Sequence, residues 1–132
     1  METIYFLLTL IQINFIKCDN SITYEGKYIQ PPPAIEICIS DKKQMKESII
    51  HELWHFFYFQ FLNEYDQKLW SILYNKSTID DFVSWYAMSN EYEDFAETFA
   101  IIFTKEKYDK TELIEKKIKY IKYLINKYLN NK

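Results

Sequence analysis

The chain has one glycine, Gly26, and three prolines that stand together as Pro31-Pro32-Pro33. These residue types make most sharp turns, so their scarcity argues against a fold of many tight hairpins and favours long helices. Arginine is absent: all 16 basic residues are lysine, and against 19 acidic residues they leave a net charge of −3. That balance argues against a general nucleic-acid binder. The two cysteines, Cys18 and Cys38, permit at most one disulfide. They form no CxxC pair, which argues against a thiolate zinc site or a dithiol redox motif, and they would pair only in an oxidising compartment. No apolar run reaches the roughly 20 residues of a membrane-spanning helix. Only two histidines occur in 132 residues.

What is present is apolar and aromatic. A hydrophobic content of 48%, with 19% aromatic residues, indicates a globular chain, and the length suits one domain with a modest core. Residues Ile4 to Ile16 form an apolar run broken only by Thr9, Gln12 and Asn14. It has the position and length of a secretory signal peptide, although Glu2 stands where a basic residue is usual and no small-x-small cleavage site comes after it. Residues 1–17 are therefore read as a signal peptide, with a first buried element of the domain as the alternative. Export is the expected location, and the cytoplasm the alternative. Residues 18–132 are the expected functional domain.

Around Gly26, Ser21 to Gln30 reads as an extended segment or hairpin arm. The three prolines cannot join a ladder and separate it from the next element. Ile35-Glu36-Ile37-Cys38-Ile39 alternates with period two, the clearest strand pattern in the chain. Ser40 or Asp41 offers an N-cap for a helix from about Gln44 to about Asn63, apolar nearly all round and so expected at the centre of the fold. Glu64 to Asp81 reads as a short helix and a loop. Phe82 to Phe103 reads as a further helix on which Tyr86, Asn90, Glu93 and Glu97 form one polar stripe. Thr111 to Leu129 reads as an amphipathic helix with lysines on its outer side; packing is its expected role, rather than membrane or partner binding. The fold class expected is α+β, mainly helical, with a small N-terminal sheet packed on the central helix.

That helix carries His51-Glu52-Leu53-Trp54-His55. Positions i and i+4 share a helix face, so His51 and His55 can aim two imidazoles at one point, with Glu52 beside it. This HExxH arrangement binds Zn²⁺ through its histidines and uses the glutamate as general base. The plainer reading makes both histidines hydrogen-bonded core groups. Tyr58 and Phe61 exclude the longer HExxHxxGxxH pattern. A third ligand must then come from an acid on a later helix, with Glu91, Glu93 and Glu97 as candidates, while a solvated face is the plainer reading of that stripe. A tyrosine hydroxyl can assist at the developing oxyanion.

HELWH, then Tyr86-Ala87, then Glu93-Asp94-Phe95-Ala96-Glu97 together resemble the gluzincin metallopeptidases of the anthrax lethal factor type, including the small secreted Pro-Pro endopeptidases. The resemblance runs from about Ile35 to Phe103. It implies a zincin-like fold with His51, His55 and Glu93 as zinc ligands and Glu52 as general base. It also implies that Tyr86 assists the tetrahedral intermediate and that Glu97 orients a ligand histidine. The implied activity is a zinc-dependent endopeptidase acting on an extended segment of a protein or peptide, with Ile35 to Ile39 as the sheet edge that receives it. Trp54 stands where glycine is common in that family, and the region before the zinc helix is short. A degenerate zinc-binding or interaction module without turnover is the alternative.

Overall fold

The alternating segment after the prolines is the middle of a small sheet. A computed structural model describes residues 2–17, 26–29, 34–39, 42–104 and 106–130. The chain divides into two units, Met1–Phe57 and Tyr58–Lys132, and the boundary falls inside a helix. In the first unit a short helix α1 (Glu2–Leu8) precedes strands β1 (Gln12–Lys17), β2 (Gly26–Ile29) and β3 (Ala34–Ile39). The sheet order is β1-β3-β2, with β1 parallel and β2 antiparallel to β3. The apolar run thus supplies α1, where Ile4 and Leu7 are buried, and most of β1. Helices predominate and the described sheet is small and mixed, so the fold class is α+β.

Strand β3 is central, not the edge expected from the sequence, because both of its sides are paired. Period-two alternation reports which face is buried and says nothing about lateral neighbours. Burial of Ala34, Ile35, Ile37 and Cys38 fits a strand covered on both faces. On its more polar face Glu36 lies opposite Lys27 of β2 and Asn14 of β1, an opposite-charge cross-strand pair. Cys38 is disulfide-bonded. Cys18, Pro31 to Pro33 and the expected capping residues Ser40 and Asp41 lie outside the described residues.

Helix α2 (Lys42–Phe61) comes next. Every residue from Glu52 to Tyr58 is buried, nearly two full turns, so this stretch is enclosed on all sides as its composition predicts. Strand β2 approaches it closely: Gly26 lies beside Ser48 and Glu52, and the Tyr28 and Phe56 rings are 6.3 Å apart. Trp54 is fully buried, its ring edge-on to Phe57 at 6.0 Å.

The second unit contains α3 (Glu64–Lys76), α4 (Glu91–Thr104) and α5 (Glu112–Ile125), the last running into a wider turn over Asn126–Asn130. Asn63 and Thr111 cap α3 and α5, accepting from the Asp66 and Ile114 amides at 2.8 and 3.1 Å. Buried Trp70 of α3 stacks edge-on against Phe95 of α4 at 5.1 Å and donates its indole N–H to the Glu91 carbonyl at 2.8 Å. The helix expected over Phe82 to Phe103 begins only at Glu91. Asn90 ends the irregular stretch by accepting from the Tyr92 and Glu93 amides at 3.0 and 2.9 Å. The pattern Asn90-x-x-Glu93 is a helix-start signal, and Tyr86 and Asn90 therefore share no helix face with Glu93 and Glu97.

The lysines of α5 do not all face outward, contrary to the expectation from the sequence. Lys117 falls in register with Ile114, Ile118 and Ile121 and is 0% exposed. Its ammonium lies 2.9 Å from Asp94 of α4, donates to the Asp81 carbonyl at 2.7 Å, and sits 4.3 Å from the centre of the Phe82 ring. Burial pushes the Asp94 carboxyl up to about 6 from an ordinary 3.8, against the opposing pull of Lys117, and burial likewise depresses Lys117. Asp94→Ala would strand the ammonium, so it is expected to lower the unfolding free energy by about 3–5 kcal/mol. Between about pH 4 and 6 the folded carboxyl holds a proton that the unfolded chain releases, so this group's contribution to stability falls as pH rises through that window. Urea unfolding of the wild type against Asp94→Asn should therefore show a larger advantage for the wild type at the acid end. A larger advantage at pH 7 would contradict the assignment.

Candidate metal centre

Helix pitch builds the cluster. His51 and His55, one turn apart on α2, bring their rings to a centroid distance of 5.2 Å at an interplanar angle of 75°. Glu52 Oε1 lies 4.0 Å from His51 Nε2. One ligand atom from each of His51, Glu52 and His55 can be chosen so that all lie within 4.8 Å of one another. Among the described residues this is the group that could hold a metal ion. Glu52 and His55 are only 7% and 8% exposed, and His51 is half-buried. Placing polar groups on the most enclosed stretch of an aromatic helix is unfavourable unless they are satisfied by strong partners.

The donor set tests which ion fits. Two imidazoles with a carboxylate suit a first-row transition ion, whereas Ca²⁺ and Mg²⁺ want oxygen ligands. Tetrahedral zinc with bonds near 2.1 Å places ligand atoms about 3.4 Å apart. The ligand atoms of His51, Glu52 and His55 lie within 4.8 Å of one another, an upper bound somewhat wider than that spacing. The residues present fit such an ion.

The other residues singled out in the sequence lie in the second unit. Tyr86 occupies a one-turn 3₁₀ helix, Tyr86–Met88, and is 55% exposed, next to exposed Trp85. Glu93 lies in the first turn of α4 with Glu91 and Asp94, where acids also complement the helix dipole. Glu97, one turn further on, accepts from the Ser84 hydroxyl at 2.9 Å. Ser84 in turn accepts from the Ala87 amide at 3.1 Å. One hydroxyl thus ties the Tyr86 turn to α4 through Glu97. Sequence reasoning passed over Ser84; its signal is a serine three residues before an amide that needs an acceptor, as in Ser/Thr turns.

No protein-family model, curated protein or solved structure matches the chain.

Titration of metal-free protein with Zn²⁺ or Co²⁺ should load about one ion per chain at high affinity, and His51→Ala or His55→Ala should each abolish it. Undiminished loading in both variants would show that the histidines are packing groups.

Proposed function

We propose that the chain is a zinc-dependent endopeptidase of the gluzincin kind, with a zincin-like fold, similar to the lethal factor and Pro-Pro endopeptidase group. The observation that carries this reading is the convergence of His51, Glu52 and His55 on a buried stretch of α2. In the proposal His51 and His55 hold Zn²⁺ and Glu93 is the third protein ligand. When bound, the ion acts as a Lewis acid toward a peptide carbonyl and makes water a stronger acid.

The chain's own groups do the rest. The Glu52 carboxylate accepts a proton from the attacking water and returns it to the leaving amine, a general base and then a general acid. The Tyr86 phenol donates a hydrogen bond to the carbonyl oxygen as negative charge develops there. Tyr86 lies in a one-turn helix and is more than half exposed. Glu97 holds that turn through Ser84, an anchoring role added to the orienting one implied by the resemblance. The substrate is an extended protein or peptide segment. With β3 central, the strand that could receive it beside Glu52 is β2, whose outer edge has no neighbour within the described sheet. No helix among the described residues is long and apolar enough to cross a membrane.

Export belongs to the same proposal. The disulfide at Cys38 is chemistry of oxidising compartments. Cleavage near residue 17 would remove β1 and turn β3 into an edge, so the mass of exported protein decides whether that segment is kept.

The mechanism assigns Glu52 and Tyr86 different tasks. Against a peptide library, Glu52→Gln should nearly abolish turnover while metal stays bound. Tyr86→Phe should lower kcat on the order of 10²–10³-fold with KM nearly unchanged. Glu93→Ala should release the metal. Wild-type turnover in Glu52→Gln would sink the peptidase assignment, and wild-type turnover in Tyr86→Phe would remove only the tyrosine from it.

A further inference from the structure

The chain's only glycine stands against the residue proposed to move the proton. Gly26 opens β2 opposite Ile37, and its backbone is not in the left-handed region that favours glycine. The reason for glycine here is space. A Cβ at this position would lie 3.1 Å from Ser48 Cβ, 3.2 Å from Glu52 Cγ and 3.2 Å from Ile37 Cδ1. Ser48 and Glu52 are one turn apart on α2, so they form the helix ridge onto which the strand is pressed.

The three contacts differ in how they can yield. Ser48 Cβ is fixed to the helix backbone. Ile37 is fully buried in the sheet, where close packing leaves little room to move. Glu52 Cγ can swing about χ1, and it carries the carboxylate. A side chain at position 26 would press on all three by a few tenths of an ångström, and Glu52 yields most readily, by a rotation that shifts its carboxylate.

We propose that Gly26 is a positioning residue for Glu52: the bare strand backbone holds the stem of the glutamate and so sets where its carboxylate points. This rests on the assignment of Glu52 as general base. Sub-ångström to ångström misplacement of a catalytic group is enough to cost up to about 10²-fold in rate, whereas binding of an extended peptide does not depend on the direction of that carboxylate.

Two readouts test the proposal, one without any turnover. Thermal unfolding of metal-free wild type, Gly26→Ala, Glu52→Ala and the double variant forms a cycle. Gly26→Ala should lower Tm, and that loss should be smaller in the Glu52→Ala background, where Cγ is gone. Equal losses in both backgrounds would overturn the contact. If Gly26→Ala alone does not fold, adding Ile37→Val to all four chains removes one clash and restores the cycle. The second readout is kinetic. Folded, fully metal-loaded Gly26→Ala should lose about 10–100-fold in kcat with KM within about twofold, while Lys116→Ala, an exposed side chain on α5, should not. Unchanged kcat in Gly26→Ala would overturn the positioning role. A wild type that binds metal yet turns over no peptide would instead defeat the peptidase reading, and the unfolding cycle would still report whether Gly26 holds the Glu52 stem.

Discussion

The pitch of one helix is the constraint on which the candidate centre depends. Because an α-helix turns once in 3.6 residues, His51 and His55 face the same way and Glu52 stands beside them, without help from any loop. The burial of Glu52 to Tyr58 then removes water from that side of α2. Imidazole and carboxylate groups so placed interact more strongly with an ion than they would at the surface. The aromatic composition of α2 is what makes this enclosure large, and the single glycine is what lets β2 come up against it.

Two buried polar clusters show different ways of meeting the cost of burial. In the second unit, Lys117 is surrounded by an acid, a carbonyl and an aromatic face. It reads as structural: each of its neighbours is an internal acceptor, and together they join α5, α4 and the 3₁₀ turn at Ile79–Asp81. The cluster in the first unit consists of ligand types, converging at distances that an ion would shorten. The contrast lies in chemistry: a lysine matched with an aspartate is a closed pair, whereas two imidazoles and a carboxylate form an acceptor-rich set.

Much of this was legible in the sequence where one periodicity governs a whole element. The strand at Ala34–Ile39, the long helix α2 and the amphipathic α5 arise directly from apolar spacing. The metal-ligating types at His51, Glu52 and His55 converge through helix geometry. The illegible parts depend on competition between local signals. Phe82 to Asn90 has helical composition, but Asn90 accepts the first amides of α4 and so starts the helix late. Lys117 lies in the apolar stripe of its helix, and its position there, more than its residue type, was the sign of burial. The sideways order of the sheet could not be read at all, because strand pairing leaves no mark in the alternation of a single strand. The role of Gly26 depends on a helix 22 residues further along the chain meeting it in space, at Ser48.

The account stands or falls on an ion between the two histidines of α2. Anomalous X-ray scattering measured on either side of the zinc absorption edge, from crystals grown with one equivalent of Zn²⁺, locates the ion directly. The account predicts a single strong peak about 2.0–2.1 Å from one nitrogen of His51 and one of His55, with a carboxylate oxygen of Glu93 completing the protein ligands. A peak elsewhere, or well-ordered imidazoles with no peak between them, would contradict it.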